Sequence, residues 1–184
     1  MTPRLTLICH AATPALRAAD FPLDEPLDDK GLAAAKTLAG QILRPGLVFS
    51  SPLLRARQTA QAMGLAAVAL ESLRECDYGR WGGRPLEEVA ANEPQAVAAW
   101  AGDPDAAPHG GESVSALIRR VGAWLDSAEF AGHTVAVTHA SLVRAAIVHA
   151  LGAQPRSFWR IEAGPLSRAE LRPSTRGWSL RLPG

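Results

Sequence analysis

Four short apolar runs in the chain each lead to a reactive polar residue. The runs are Leu5–Ile8, Leu47–Phe49, Ala67–Leu70 and Thr134–Val137. The polar residues that follow them are His10, Arg55, Glu75 and His139. Near-continuous aliphatic and β-branched runs are typical of parallel strands that helices cover on both faces. Since ligands bind beyond the carboxyl ends of such strands, the four polar side chains are predicted to converge on one crevice.

The bulk properties predict a single domain over residues 1–184, because the chain is long enough for one full core and contains no linker or repeat. A net charge of +1 gives no global field that would attract nucleic acid or a membrane surface. The two cysteines, Cys9 and Cys76, make no disulfide framework and fit a reducing compartment. No apolar stretch suits a signal peptide or a membrane span, so we expect a cytoplasmic location.

Helical patterns alternate with the apolar runs. They cover Lys30–Leu43, Pro52–Gly64, a patch around Leu86 and Val89, Ser113–Phe130 and Leu142–Leu151. Near the end of the chain, Phe158–Leu171 and Trp178–Leu182 alternate enough for a closing hairpin or edge strands. This order of elements predicts an α/β fold, a three-layer α/β/α sandwich with a mainly parallel central sheet.

The two strand-end histidines suggest phosphoryl chemistry. A lone histidine at a strand end is more often satisfied by the backbone, but a second one at an equivalent position changes that balance. The neutral imidazole of His10 is a competent nucleophile toward phosphorus. His139 can donate hydrogen bonds to the phosphate oxygens, and the helix that follows it, from Ala140 onward, presents N-terminal amides to the same anion.

Arg55 and Glu75 complete this hypothesis. The guanidinium of Arg55 can hold two phosphate oxygens at once. Glu75 is the candidate donor of the proton that the leaving group needs, provided that burial or a nearby negative charge raises its pKa. The alternative for Glu75 is a surface carboxylate paired with Arg74 or Arg80.

Six segments of the chain form an ordered set of motifs: Leu7–Thr13, Pro26–Gly31, Ser50–Ala60, Leu73–Trp81, Gly110–Ser113 and Val135–Ala145. In this order, and over nearly the whole chain, they resemble the motifs of the phosphoglycerate-mutase-like branch of the histidine phosphatase superfamily. The resemblance implies that His10 is the phosphoryl acceptor, that Arg55 and His139 bind the phosphate, and that Glu75 is the proton donor. Thr13, which ends the first motif, is assigned with them to phosphate binding.

Four positions depart from the family pattern. Cys9 stands where the family has a phosphate-binding arginine, and Ala11 and Ala140 replace the glycines after the two histidines. Gly82 stands where many relatives carry a glutamate after the tryptophan. Arg17 and Arg144 are the candidates to take the place of the missing arginine.

Cys9 also suggests two other sites, and the spacing favours neither. The loop of a cysteine-based phosphatase needs an arginine a few residues beyond the cysteine, whereas the first arginine after Cys9 is Arg17. A zinc site built from Cys9, His10, Cys76 and His139 lacks a paired-ligand motif. We therefore expect no metal and no organic cofactor. For His109 a surface position is favoured over contact with the substrate, and for Glu112 a helix cap is favoured over a place in the pocket.

The expected function is hydrolysis of a phosphomonoester through a phosphohistidine on His10, slowed by the loss of the arginine at position 9. The expected partner is a small phosphorylated substrate or inorganic phosphate, and the oligomeric state stays open. The main alternative is a catalytically degenerate protein, which has lost turnover and serves as a phosphate-ester binding or regulatory protein. A mutase-type phosphotransferase is less favoured, because the chain is short and lacks the insertions expected of a true mutase.

Overall fold

The computed structural model describes residues 3–42, 45–127, 130, 132–175 and 177–181. Within these ranges a six-stranded sheet has the order β3-β2-β4-β1-β5-β6. The strands are β1 (Arg4–Cys9), β2 (Leu47–Ser50), β3 (Val68–Ala69), β4 (His133–Thr138), β5 (Arg168–Ser174) and β6 (Gly177–Arg181). Strands β1 to β4 are parallel to one another, β5 pairs antiparallel with β1, and β6 pairs antiparallel with β5. The predicted mainly parallel sheet is confirmed.

Seven α-helices and three short 3-10 helices connect the described strands. The α-helices are α1 (Pro14–Ala18), α2 (Asp29–Thr37), α3 (Leu54–Ala62), α4 (Leu86–Asn92), α5 (Pro94–Gly102), α6 (Val114–Ser127) and α7 (Ala140–Ala150). The 3-10 helices are Glu71–Leu73, Gly79–Trp81 and Pro155–Arg160. Among the described residues, no helix combines the length and apolar composition that crossing a bilayer requires.

Alternation along β1 separates two cores. Leu5, Leu7 and Cys9 pack in a cluster with the apolar faces of α6 and α7. Ile8 points to the other face of the sheet, where it packs with small residues of α2 and α3 such as Ala35. Because successive strand residues face opposite sides, one strand supplies both cores, and the predicted three-layer sandwich is confirmed.

Side-chain caps fix where the helices begin. Thr13 Oγ1 accepts a hydrogen bond from the Leu16 amide (3.1 Å) at the start of α1, and Asp28 Oδ1 accepts one from the Gly31 amide (2.6 Å) at the start of α2. Ser113 Oγ caps α6 by accepting from the Ala116 amide (3.1 Å). The assignment of Glu112 to this cap was therefore wrong. Its carboxylate instead accepts two hydrogen bonds from the guanidinium of Arg120, at 2.8 and 2.7 Å.

Several predicted boundaries differ from the observed ones. Helix α2 ends at Thr37, because the chain turns into a left-handed conformation at Gly40 (φ 76°), and the predicted end at Leu43 lies outside the described residues. Helix α3 is shorter at both ends than Pro52–Gly64, whereas α7 starts at Ala140, two residues earlier than predicted.

The strand predicted over Phe158–Leu171 was wrong in its first part. Phe158 lies in a 3-10 helix that begins at Pro155, and β5 starts only at Arg168. Pro165 has no amide to donate to a sheet, so the preceding segment cannot extend the ladder. Residues 128–129 and Leu182, at the predicted ends of two other elements, lie outside the described residues.

Gly31 in α2 allows the helix to pack directly on the loop that follows β1. A Cβ at this position would lie 2.2 Å from the carbonyl oxygen of Ala12. We expect Gly31→Ala to lower the free energy of unfolding by about 1–3 kcal/mol, because backbone rather than a flexible side chain must move. Gly102→Ala is the matched control, since no atom lies within 4 Å of its added Cβ. Urea unfolding curves measure both; equal stability of Gly31→Ala and wild type would contradict this packing.

Candidate active site

The four strand-end residues lie together at the carboxyl edge of the sheet. The rings of His10 and His139 have centroids 5.2 Å apart. Arg55 Nε donates a hydrogen bond to His10 Nε2 (3.2 Å). Glu75 Oε2 lies 3.6 Å from Arg55 Nη2 and 3.4 Å from His139 Nδ1. The parallel strands β1, β2 and β4 deliver these side chains to one point, as the strand-end pattern predicts.

The ring of His10 is held in one tautomer. Its Nδ1 lies 2.7 Å from the carbonyl oxygen of Ala11, which only accepts, so Nδ1 carries the hydrogen. Nε2 then keeps its lone pair and accepts from Arg55. Burial, followed by the positive charge of Arg55, lowers the pKa of His10 to about 4. His10 therefore presents an uncharged nucleophilic nitrogen, Nε2, at neutral pH.

His139 is also kept uncharged. Its ring is fully buried, and burial, followed by the charge of Arg55, holds the pKa of His139 well below its usual value. Ser51 Oγ accepts a hydrogen bond from the Leu53 amide (3.2 Å) and lies 2.8 Å from Nε2, to which its hydroxyl can donate. With that donation, the ring hydrogen is on Nδ1. These contacts fix the ring and leave Nδ1 facing the cluster.

Glu75 has the environment of a proton donor. Its Oε1 accepts hydrogen bonds from the Cys76 amide (2.9 Å) and from the hydroxyl of Ser141. Burial raises the pKa of Glu75 above its usual value of 4.5, against the opposing charge of Arg55. The alternative of a surface ion pair is wrong, because Arg74 pairs with Glu71 and Arg80 pairs with Glu93.

Arg55 is fully buried at the centre of the cluster. Its Nη1 donates to the carbonyl oxygen of Leu23 and lies 3.7 Å from Glu25 Oε2. Within the described part of the chain, Arg55 Nη2 and His139 Nδ1 are buried and have no hydrogen-bond partner. Leaving a buried polar group unsatisfied costs about 1–3 kcal/mol. Two such groups beside the uncharged ring of His10 form a site that suits an anion.

A cation is a weaker match for the same residues. One ligand atom from each of His10, Glu75 and His139 lies within 4.8 Å of the others, a spacing that a metal ion can bridge. However, the guanidinium of Arg55 is hydrogen-bonded to one of these atoms and places a positive charge in the cluster. Electrostatic repulsion from that charge opposes a cation and favours phosphate.

Cys9 is a buried thiol rather than a nucleophile. Burial, followed by the charge of Glu75, raises the pKa of Cys9 to about 12, and the amide of Ala140 donates to its sulfur.

Arg17 is directed away from the cluster, since its side chain is 51% exposed and pairs with Asp28. It does not take the place of the missing arginine. Arg144 lines the same cleft as Cys9 and His10. Thr13, the other residue predicted to bind phosphate, also lines that cleft while capping α1.

Several residues that support the site were not predicted as part of it. Thr59 Oγ1 accepts from the Ala11 amide (3.0 Å) and donates to the carbonyl oxygen of Arg55 (2.7 Å), which ties α3 to the loop after β1. His109 was assigned to the surface and is instead buried, with its ring centroid 5.0 Å from that of Trp81. The only sequence signal for Thr59 was its position one helical turn after Arg55.

Comparison with known proteins identifies the family. Residues 5–184 match the family described as "Histidine phosphatase superfamily (branch 1)". The chain belongs to the histidine phosphatase superfamily. It is 31% identical over 147 residues to "Phosphoserine phosphatase 1" of Hydrogenobacter thermophilus, covering 74% of this chain and 70% of that protein. The resemblance stated from the motifs is thus confirmed.

Two further comparisons extend this result. A solved structure of mycobacterial glucosyl-3-phosphoglycerate phosphatase superposes with a TM-score of 0.83 at 26% identity, over 98% of this chain and 97% of that one. "Bifunctional protein Rv2228c" of Mycobacterium tuberculosis is 33% identical over 156 residues, which are 78% of this chain but 43% of that protein. The chain thus spans less than half of this longer relative. As a member of this superfamily with relatives named as phosphatases, the protein is a phosphatase.

The opposite pKa shifts of His10 and Glu75 predict a bell-shaped pH dependence of kcat/KM. Activity should rise with pH through about 4, as His10 loses its proton and gains a free lone pair. It should fall at higher pH as Glu75, whose pKa is raised, loses the proton that the leaving group needs. Glu75→Gln should lower kcat/KM by roughly 10²–10⁴-fold and remove the alkaline limb. If wild type and Glu75→Gln showed the same alkaline limb, that limb would reflect ionisation of the substrate phosphate and not of Glu75.

Proposed function

We propose that the protein hydrolyses phosphomonoesters by transferring the phosphoryl group first to His10 Nε2 and then to water. The observation that carries this proposal is the pair of buried nitrogens without a hydrogen bond, Arg55 Nη2 and His139 Nδ1, which flank Glu75 beside an uncharged nucleophilic nitrogen. A phosphate group supplies acceptors for both donors and places phosphorus next to His10. The substrate class is a small phosphorylated molecule, consistent with relatives named for phosphoserine and glucosyl-3-phosphoglycerate.

In the first step, His10 Nε2 attacks phosphorus and the bond to the leaving oxygen breaks. Glu75 gives its proton to that oxygen, and Arg55 and His139 stabilise the charge on the equatorial oxygens. His10 Nδ1 keeps its hydrogen and its hydrogen bond to the carbonyl oxygen of Ala11. This hydrogen bond stabilises the positively charged ring that phosphorylation forms. In the second step, Glu75 takes a proton from water, which attacks the phosphohistidine and releases inorganic phosphate.

A phosphohistidine intermediate has a chemical signature, because a phosphoramidate is labile in acid and stable in alkali. We expect label from a phosphorylated substrate to stay on the protein after an alkaline quench and to be lost after an acid quench. His10→Gln should abolish the label. His149→Gln is the matched control, since His149 lies in α7 outside the cluster. Label that persists in His10→Gln, or that survives acid, would identify another nucleophile. A complete absence of label and turnover would favour the non-catalytic binding protein.

Position 9 tests the consequence of the departure from the family pattern. A charged hydrogen bond to the developing phosphate charge contributes about 1.5–3 kcal/mol, which corresponds to roughly 10–150-fold in rate. We expect Cys9→Arg to raise kcat/KM by about that factor, because it adds a second positive charge to that of Arg55 in the cluster. Cys9→Ser, which adds no charge, should stay close to wild type. A fall in activity with Cys9→Arg would mean that Arg144 already fills this place.

A further inference from the structure

A cavity of about 290 Å³ opens beside His10, and we call it the leaving-group cleft. Its lining is mainly apolar. The large apolar residues in it are Leu16, Phe21, Tyr78, Leu86, Trp100 and Phe158. Since the cleft also contains His10 and Glu75, it adjoins the bond that breaks. The cleft is therefore placed to receive the group attached to the departing oxygen, although a second cavity, lined by Arg55, Glu75 and Asp24, also adjoins the cluster.

The aromatic wall of this cleft is held rigidly. The ring of Trp100 lies 5.8 Å from that of Phe21, 6.0 Å from that of Trp81 and 6.5 Å from that of Trp159, measured between centroids. Such interlocked edge-to-face contacts leave little freedom to rearrange. A wall of this kind offers a flat surface for a planar apolar group. It offers few hydrogen-bond partners to the hydroxyl groups of a polar alcohol.

The rim of the cleft leaves apolar surface open to solvent. Leu16 is 46% exposed and Leu86 is 38% exposed, although both line a cavity that leads to the active site. An apolar group that entered the cleft would cover part of this surface. The area removed from water would contribute to binding at about 25 cal/mol per Å².

Arg144 provides one polar feature in this apolar setting. Its guanidinium carbon lies 5.7 Å from the ring centroid of Phe158, and its buried Nε has no hydrogen-bond partner in the part of the chain that the structure describes. The other charged or titratable side chains in the lining are Cys9, His10, Asp20, Glu75 and Tyr78, of which His10 and Glu75 belong to the catalytic cluster. Arg144 lies in α7 four residues after Ala140, and its positive charge acts on the thiol of Cys9 at the border of the phosphate site.

We propose that the leaving-group cleft selects phosphate monoesters of alcohols that carry a planar apolar group with a hydrogen-bond acceptor beyond it, and that Arg144 binds this acceptor. The inference rests on the proposed function, because it assigns the substrate class of the same site. The planar group stacks on the Trp100 wall. The acceptor satisfies the buried Nε of Arg144.

The test compares esters whose alcohols are similarly basic, so that binding rather than leaving-group chemistry decides the rates. Ethyl phosphate, O-phosphoserine, 2-phenylethyl phosphate and its 4-carbamoyl derivative are suitable. We expect kcat/KM for 2-phenylethyl phosphate to exceed that for ethyl phosphate by about 10–100-fold. The carbamoyl group should add a further factor of about ten. Ethyl phosphate or phosphoserine hydrolysed equally well or better would overturn the inference and leave the phosphatase proposal standing.

Two pairs of variants assign the preference to residues. Leu86→Gln should reduce the ratio of phenylethyl to ethyl turnover by about threefold. Leu151→Gln, which changes a leucine that is 56% exposed at the far end of α7, should leave the ratio unchanged. An unchanged ratio in Leu86→Gln, or an equal fall in both variants, would count against the cleft as the recognition site.

Arg144→Met should abolish the advantage of the carbamoyl derivative and preserve the ratio of phenylethyl to ethyl turnover. Arg144→Lys should keep part of that advantage, since it retains a donor. An equal loss for all four esters in Arg144→Met would mean that Arg144 serves the phosphate, which overturns its assigned role. If no ester is turned over and no phosphohistidine forms, the proposed function fails and this inference fails with it.

Discussion

The burial of Arg55 is the constraint on which the site depends. A guanidinium cannot lose its proton at any ordinary pH, so its charge must be matched inside the protein. Glu25 and Glu75 approach it from two sides, and the carbonyl oxygen of Leu23 accepts from Nη1. The same charge helps to keep His10 and His139 unprotonated. One buried cation thus prepares the nucleophile and leaves a donor free for an anion.

The fold holds this cation through contacts between segments that are distant in sequence. Helix α3, which carries Arg55, is capped by Asp24, whose Oδ1 accepts from the Leu54 amide (2.6 Å). Thr59 in the same helix ties it to Ala11, and Ala11 in turn orients the ring of His10. Small changes in the packing of α3 would therefore reach the nucleophile directly. Cooperative packing of this kind explains why side chains on loops can keep a precise geometry.

The sequence predicted the convergence of the site better than its details. Strand direction alone brings His10 and His139 together, because both follow parallel neighbouring strands. The burial of His109 was not predictable in the same way, since Tyr78 and Trp81 enclose it from a different segment. Helix α5 was missed as well, because no residue in it is fully buried and its pattern shows little periodicity. Local patterns predict elements, whereas contacts between distant segments decide burial.

The cysteine at position 9 changes how the site obtains its binding energy. Burial raises the pKa of Cys9 to about 12, so this side chain is uncharged at neutral pH. It offers a phosphate no positive charge, unlike the arginine that the motif resemblance implies at this position. Under the proposed function, contacts with the remote part of the substrate would compensate, because they can be used to position the reacting groups. The apolar cleft and Arg144 adjoin the cluster on the side where such contacts would form.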